Sequence, residues 1–436
     1  MFKKLFALAA ALALFGCGGG GGGGGSSSTS TPTPPAPLTN FVAVSVDAGP
    51  TGVTTGPNAY TQSNVVFASV TICAPGSTTN CQTIDHIQID TGSVGLRIFG
   101  SVINSSLLSA LPLQTDTSNN PVGECYQYVD GFVFGSVRST DMTIGGETVK
   151  SMPFQVLADS GQFATAPSTC TGGGGSEITT VNAFGSNGII GIGTTATDCG
   201  SFCASGGESA AIYYDCPNAG CSSIIARASN ASPPFQQLPN PVAAMSVDNN
   251  GSILVLPSIP ANGETSLAGT LYFGIGTQTN NGLGSATIYT VTTSAAQNGP
   301  GLLNALYKGQ TLPNSFLDSG SSIYFFEDTT LTLCPSNQAL GFYCPASTLT
   351  LAPVVEGLNG KSFTDTFSLF NALSVFNANP NFSVIPGLGA NPNIIFPSTA
   401  YQGSYDFGIP FFYGKSVYTA IENRSAGGTL GPYVAF

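Results

Sequence analysis

The chain has 436 residues, enough for two lobes or domains rather than a single core. Only 7% of the residues are charged but 42% are hydrophobic, which excludes a disordered protein because disordered chains are rich in charge and poor in apolar residues. With a net charge of −12 and 10 Lys and Arg, the composition also excludes a phosphate-binding surface for nucleic acid.

The first 17 residues predict a secretory signal. Lys3 and Lys4 supply a positive start, and the apolar run 5–15 is too short to span a bilayer. Gly16 and Cys17 end the run, and this ending resembles a bacterial lipobox, in which the cysteine is lipidated. We therefore expect an exported protein held by a lipid on Cys17 in the outer membrane, since no aspartate follows the cysteine to retain it in the inner membrane. An ordinary signal with a chance cysteine is the alternative.

Residues 18–39 predict a tether, because a glycine run is followed by Ser, Thr and Pro with almost nothing to bury. The strand pattern begins after it. We expect an N-terminal lobe over 40–240, with a Cys-rich insertion, and a C-terminal lobe over 241–436.

The rest of the chain indicates an all-β protein. It contains 56 Gly and 29 Pro, and its apolar runs are rich in β-branched and aromatic residues. The runs 42–46, 65–72 and 83–90 predict strands, and Asp130-Gly131 predicts a tight hairpin turn. The best helical candidates are short: 302–307, 329–333 and 367–373.

Ten cysteines remain after Cys17, and an even number in an exported chain predicts disulfides. Short spacing favours the pairs Cys73–Cys81 and Cys334–Cys344, and we pair Cys125 with Cys170. The sequence does not decide the pairing within a last group, which comprises Cys199, Cys203, Cys216 and Cys221. Zinc is the competing interpretation, but a chain with one histidine in an oxidising compartment disfavours it. We expect neither a metal nor a cofactor.

One pattern occurs twice, 228 residues apart. It reads Ile89-Asp90-Thr91-Gly92-Ser93 in the first half and Leu317-Asp318-Ser319-Gly320-Ser321 in the second. In each copy, apolar residues precede and follow the motif. The alternative is a pair of unrelated turns with Asp caps, since part of the pattern also occurs at Asp159-Ser160-Gly161.

Two such loops facing each other would bring Asp90 and Asp318 within hydrogen-bond reach. Like charges so close cannot both ionise, so the pair would share one proton and hydrolyse a peptide bond by general acid–base catalysis. The supporting roles predicted for the other motif residues are a bond between the loops by Thr91 and Ser319, bonds to the carboxylates by Ser93 and Ser321, and close backbone approach at Gly92 and Gly320. His86, the lone histidine, has no motif that would make it the base of a serine hydrolase.

With these residues the chain resembles the pepsin-like aspartic peptidases, in which Asp90 and Asp318 match the two active-site positions. The hairpin with Tyr128, Asp130 and Gly131 resembles that family's flap, and the alternative for Tyr128 is a packed hairpin aromatic. The segments 187–191 and 407–412 resemble the elements that pack beside the two Asp loops. The resemblance implies a two-lobed double β-barrel with a cleft between the lobes, a peptide or unfolded protein as substrate, and a monomer.

Three positions depart from that family. Arg97 stands where an aromatic residue is usual, Ser319 stands where threonine is commoner, and Ile409 replaces an acidic residue. Around 81–98 and 406–422 the chain also resembles an uncharacterised family of bacterial surface lipoproteins. The sequence therefore supports two alternative functions. One is a surface-anchored aspartic endopeptidase. The other is a lipoprotein of the same fold that binds peptides or surface polymers without turnover.

Overall fold

The computed structural model describes residues 39–56, 59–171, 175–205, 211–225, 237–295, 299–335, 339–396 and 403–436. The predicted signal, Cys17 and the tether up to residue 38 lie outside the described residues. Leu38–Phe436 form one compact unit.

Strands make up most of the regular structure. In the first half they are β1 Phe41–Val46, β2 Val66–Cys73, β3 Cys81–Asp90, β4 Val94–Phe99, β5 Val122–Gln127, β6 Gly131–Ile144, β7 Glu147–Leu157, β8 Ser176–Glu177, β9 Gly188–Ile192, β10 Ala211–Asp215 and β11 Ser222–Ile224. In the second half they are β12 Gly251–Leu256, β13 Leu267–Phe273, β14 Ile288–Thr290, β15 Leu303–Tyr307, β16 Gln310–Leu317, β17 Tyr324–Phe326, β18 Leu349–Leu351, β19 Val354–Glu356, β20 Ser362–Thr364, β21 Phe367–Leu369, β22 Gly389–Ala390, β23 Tyr405–Phe407, β24 Lys415–Ala420, β25 Ser425–Ala426, β26 Thr429–Leu430 and β27 Tyr433–Ala435.

The helices are short. They are α1 Thr51–Thr54, α2 Ser105–Ala110, α3 Ser168–Thr171, α4 Val181–Phe184, α5 Gly200–Ser205, α6 Ala372–Ala378, α7 Pro392–Ile395 and α8 Ile409–Phe412, with 3₁₀ turns at Gly100–Val102 and Gly161–Phe163.

The first lobe is a closed ring of strands in the order β2-β3-β9-β4-β7-β6, because β6 also pairs with β2. Its pairs are antiparallel except β3–β9 and β4–β7, which are parallel. Closing the ring leaves none of these six strands with a free edge. The second lobe holds a seven-stranded sheet in the order β20-β19-β15-β16-β23-β17-β22.

A run of antiparallel strands, β1-β13-β12-β24-β27-β14, takes members from both halves of the chain. It continues the first-lobe sheet, since β1 also pairs with β2. A core of fully buried apolar side chains extends through both lobes, with Ile87, Phe154, Leu271 and Phe407 among its members. The all-β, two-lobed prediction is confirmed, while the lobe boundary at residue 240 stays a prediction.

The ten cysteines form five disulfides. The three pairs predicted from the sequence are present, Cys73–Cys81, Cys125–Cys170 and Cys334–Cys344. The group left open pairs as Cys199–Cys203 and Cys216–Cys221. None of the ten is therefore a free thiol for zinc.

The helix predictions are wrong. Residues Leu303–Tyr307 form β15, in which alternate side chains are buried, and this period of two is that of a strand. Phe367–Leu369 is also a strand. The helix α6 starts only after Asn371, whose side chain accepts a hydrogen bond from the Ser374 N–H at 3.0 Å. No helix covers residues 329–333 in the described part of the chain.

Candidate active site

The two aspartates stand at the ends of matching strands. Asp90 is the last residue of β3, and Asp318 directly follows β16. Each strand has a parallel neighbour from the segments expected beside the Asp loops: Asp90 lies opposite Gly191 of β9, and Leu317 lies opposite Phe407 of β23. In each lobe, one buried pair of parallel strands fixes where the Asp loop begins.

The carboxyl groups make corresponding hydrogen bonds within their own loops. The Gly92 N–H donates to Asp90 Oδ1 at 2.7 Å, and the Ser93 hydroxyl donates to Asp90 Oδ2. In the second loop the Gly320 N–H donates to Asp318 Oδ1 at 2.7 Å, and the Ser321 hydroxyl donates to Asp318 Oδ2 at 2.9 Å. Each carboxyl group is thus held by a backbone amide and a serine hydroxyl of its own loop.

The two carboxyl groups are in hydrogen-bond contact with each other. Burial, the charge of Asp90 and then the charge of Asp406 raise the pKa of Asp318 well above its usual value. A hydrogen bond between two carboxyl groups requires a proton on one of them. Asp318 is therefore the member that retains the proton, and the pair titrates as a unit.

The two loops are bonded to each other through Thr91 and Ser319. The Thr91 N–H donates to Ser319 Oγ at 3.1 Å, and the Ser319 N–H donates to Thr91 Oγ1 at 3.0 Å. The Ser319 hydroxyl also donates to the Ile89 carbonyl at 2.9 Å. These bonds join residues from the two halves of the chain and fix the separation of the carboxyl groups.

Glycine is required where the loops meet. A Cβ atom on Gly320 would lie 2.5 Å from Asp90 Oδ1, closer than side-chain carbons approach oxygen. The neighbouring Gln88 side chain donates to the Gly320 carbonyl at 2.8 Å, which adds a bond between β3 and the second loop.

A third carboxyl group lies beside the pair. Asp406 on β23 is fully buried, and the Ser321 hydroxyl lies 2.6 Å from Asp406 Oδ2 as well as 2.9 Å from Asp318 Oδ2. A hydroxyl has one proton to donate, so Ser321 links the protonation of the two aspartates. Ile409, where the sequence lacks an expected acid, is buried, and Asp406 supplies a carboxyl group three residues earlier.

The carboxyl pair opens into a cleft with a volume of about 670 Å³. Both lobes contribute to its walls, with Asp90, Ser93, Tyr126, Tyr128, Asp130 and Phe184 from the first, and Asp318, Ser321, Phe325 and Phe396 from the second. Apolar and aromatic side chains share the walls with about as many polar ones, and polar groups in a cleft fix the orientation of a ligand.

The predicted flap residues lie at the turn between β5 and β6. The Tyr128 N–H donates to the Gly131 carbonyl at 2.8 Å, and Tyr128 and Asp130 line the cleft. The Tyr128 ring packs 4.8 Å from Tyr126 and 5.8 Å from Phe184, measured between ring centroids. Tyr128 is therefore both a cleft residue and a packed aromatic. Its buried hydroxyl has no hydrogen-bond partner among the described residues.

Arg97 lies outside the cleft and is completely buried. Its guanidinium donates to Glu124 Oε1 at 2.6 Å and to Asp198 Oδ2 at 3.1 Å. Arg97 is therefore held in an ion pair inside the first lobe, neither in the cleft nor on the surface, and it does not block the carboxyl pair.

His86 is a partly exposed residue of β3. Its Nε2 lies 3.2 Å from Asp47 Oδ1, and its ring packs edge-on against Phe67. The hydrogen bond to Asp47 raises the pKa of His86, while burial lowers it. His86 is therefore bonded within the first-lobe sheet to Asp47, the residue that follows β1.

Sequence reasoning missed Glu124, Asp198, Asp406 and Gln88. For Arg97 and Asp406 a signal is present, because each is a single charged residue among apolar neighbours, and a charge buried in a strand needs a partner. The residue with which Arg97 pairs cannot be read from the sequence around it, since Asp198 is 101 residues away.

Within the described residues, no helix is both long and apolar enough to cross a membrane.

One solved structure that resembles the chain is the crystal structure of aspartic proteinase from Irpex lacteus. It has 14% sequence identity and a TM-score of 0.47, and the match covers 91% of this chain and 96% of that chain. No curated protein matches the sequence. A family model described as "Protein of unknown function (DUF3443)" matches residues 36–436. Because that match takes in nearly the whole chain, this protein belongs to the DUF3443 family.

Proposed function

We propose that this protein is an aspartic endopeptidase. The observation that carries the proposal is the hydrogen-bonded pair Asp90 and Asp318 at the floor of an open cleft, with the pKa of Asp318 raised by burial and by the charge of Asp90. Two carboxyl groups that hold one proton between them supply both a base and an acid at one place.

In the first step, ionised Asp90 takes a proton from a water molecule as the water oxygen bonds to the carbonyl carbon of the peptide. The proton on Asp318 passes to the carbonyl oxygen. The product is a tetrahedral diol, with Asp90 now protonated and Asp318 ionised. No covalent bond to the protein forms, so serine and cysteine nucleophiles have no role.

In the second step, the bond between carbon and nitrogen breaks. The leaving nitrogen takes the proton from Asp90, and one diol hydroxyl returns its proton to Asp318. The pair regains its starting state, with one proton on Asp318. Ser93 and Ser321, which donate to the outer carboxyl oxygens, keep both groups in place throughout.

The substrate we propose is an extended segment of a peptide or unfolded protein, bound to a monomer. Extended chains bind in clefts by backbone hydrogen bonds, with apolar pockets for alternate side chains. The rings of Tyr126, Phe184, Phe325 and Phe396 offer such apolar surface on both sides of the carboxyl pair.

We also propose that the protein is exported and held by a lipid on Cys17 in the outer membrane, which the signal-like residues 1–17 support. Expression of wild type and Cys17→Ser with labelled palmitate tests this. Label and outer-membrane fractionation should both be lost in Cys17→Ser. Label that persists in this variant would contradict the anchor.

The activity is tested with the compact unit Leu38–Phe436, made with its disulfides, and a diverse peptide mixture from about pH 3 to 7. We expect cleavage that is lost in Asp90→Asn and in Asp318→Asn and is blocked by a statine-type inhibitor. The matched control is Asp116→Asn, because Asp116 caps a turn by accepting from Ser118 N–H at 2.8 Å. Cleavage that survives in both active-site variants would exclude the proposed chemistry. A folded protein that binds peptide or polymer but cleaves nothing would instead be the non-catalytic lipoprotein.

A further inference from the structure

The first lobe contains a second pair of carboxyl groups, away from the cleft floor. Arg97 on β4, Glu124 on β5 and Asp198 after β9 have completely buried side chains. One guanidinium therefore faces two acids, with Arg97 Nη2 at 2.6 Å from Glu124 and 3.1 Å from Asp198. If both acids were ionised, the cluster would carry a net negative charge with no access to water, which protein interiors avoid by taking up a proton.

Two unpaired carboxyl oxygens indicate where that proton lies. Glu124 Oε2 and Asp198 Oδ1 are buried and have no hydrogen-bond partner among the described residues, although both carboxyl groups lie against the same guanidinium nitrogen. One proton between the two carboxyl groups would give each oxygen a partner. The pKa of Asp198 is raised well above its usual value by burial and then by the charge of Glu124, while Arg97 lowers it.

The cluster reaches the cleft through Tyr126. The guanidinium carbon of Arg97 lies 3.7 Å from the centroid of the Tyr126 ring, a cation–π contact. Tyr126 in turn packs against Tyr128, and both rings line the cleft beside Asp90. The position of Arg97 therefore sets the position of the ring wall that faces the substrate.

We propose that the Arg97–Glu124–Asp198 cluster is a proton-dependent positioning device, which holds Tyr126 and Tyr128 against the cleft while Glu124 and Asp198 share a proton and releases them when that proton is lost. The role of these tyrosines in positioning a substrate rests on the proposed peptidase function. Neither carboxyl group touches the reacting atoms, so both are positioning residues.

The direction of the pH dependence follows from the charges around the pair. The titratable or charged groups that act on the cluster and its tyrosines are Arg97, Glu124, Asp198, Tyr126, Tyr128, Tyr213 and Asp90. Arg97 is the one cation among them, and Tyr213 donates to Asp198 Oδ2 at 2.7 Å. Loss of the shared proton adds a second buried anion that one cation cannot balance, so the tyrosines are held at low pH and released at higher pH.

The test replaces the shared proton by an amide proton that no pH removes. Glu124→Gln leaves one cation, one carboxylate and a permanent donor to Asp198. We expect the rise of KM for peptide cleavage at alkaline pH to move up by about 1 pH unit or more, while the alkaline limb of kcat, which Asp318 sets, stays in place. Glu147→Gln is the matched control, because Glu147 is also buried but lies at the far end of β7. If Glu124→Gln does not fold, Asp198→Asn replaces it, because the asparagine amide then donates to the Glu124 carboxylate.

A second measurement separates this inference from the peptidase proposal. The ring resonances of Tyr126 and Tyr128, assigned by Tyr→Phe substitution, are followed by NMR against pH in an Asp90→Asn background, where the carboxyl pair at the cleft floor is disabled. We expect them to shift with pH, and the shift to vanish when Glu124→Gln is added.

If no peptide is cleaved but the tyrosine shift behaves in this way, the positioning device stands and the peptidase proposal fails. If cleavage occurs but Glu124→Gln leaves both the pH dependence of KM and the tyrosine resonances as in Glu147→Gln, the positioning device is excluded. Tyrosine resonances that do not respond to pH in the Asp90→Asn protein exclude it as well.

Discussion

A Cβ atom on Gly92 would lie 2.7 Å from Asp318 Oδ1, so the glycine of the first Asp loop is in contact with the carboxyl group of the second. The Gly320 position has the same relation to Asp90. The two loops are therefore packed through their glycines, and the separation of the carboxyl groups depends on the absence of two side chains.

Gly92→Ala should separate the carboxyl pair without unfolding the protein. The added methyl group must displace Asp318 or the loop, and a displacement of about 1 Å at reacting groups costs about 100-fold in rate. Peptide cleavage rate and melting temperature are measured together. Gly282→Ala is the control, because a Cβ there meets nothing within 4 Å. Full activity in Gly92→Ala would contradict the packing argument.

Asp406→Asn should shift the pH profile of cleavage to lower pH on its alkaline side. The charge of Asp406 helps to raise the pKa of Asp318, so its removal lets Asp318 lose its proton earlier as pH rises. The pH dependence of kcat/KM measures the shift. An alkaline limb that stays in place would show that the charge of Asp406 does not raise the pKa of Asp318.

Ser319→Ala should destabilise the fold through the contact between lobes. The change leaves the Thr91 N–H and the Ile89 carbonyl without the partner they have now, and unpaired buried groups cost about 1–3 kcal/mol. The free energy of unfolding in urea measures it. Ser109→Ala removes an exposed hydroxyl that bonds within α2, and we expect it to change stability by less than about 0.5 kcal/mol. Equal effects of the two substitutions would contradict a structural role of the loop contact.

The His86–Asp47 pair should add stability in a limited pH window. Burial raises the pKa of Asp47, but the bonds from His86 and Gly49 outweigh it and lower that pKa to about 2. This contribution is present above the usual Asp pKa of 3.8 and is lost as pH falls towards 2. The pKa of His86 is raised from 6.5, so its contribution is present below pH 6.5 and is lost as pH rises through the higher value.

His86→Gln should therefore lower the free energy of unfolding by about 1 kcal/mol between the two usual pKa values and by less outside them. Denaturant unfolding at a series of pH values measures the difference from wild type. A difference that is constant from acid to alkaline pH would be inconsistent with an ion pair.

The sequence predicts the features that depend on short segments. The repeat around Asp90 and Asp318 is local, because each motif contains the amide and hydroxyl that hold its own carboxyl group. The disulfide Cys73–Cys81 follows from a spacing of eight residues. In each case the interacting groups are close in the chain, so a pattern of residue types is enough to predict that they interact.

Contacts between distant segments are not predictable in this way. Glu124 on β5 and Asp198 after β9 reach Arg97 only because the sheet order β5-β6-β7-β4-β9 brings these segments together, and no spacing encodes that order. The wrong helix over 302–307 has the same origin. Its residues suit a helix locally, but pairing of β15 with both β16 and β19 makes it a strand.

The strand β1 has consequences for the order of events during synthesis. All six of its residues pair with β13, whose first residue, Leu267, is 221 positions after Val46. At ordinary rates of translation this partner follows roughly 10 to 45 s later. Until then the edge of β1 that faces β13 is unpaired over its whole length, while β2 covers Ser45 and Val46 on the other edge. A nascent chain that ends before β13 therefore has an open strand edge that can pair with other chains.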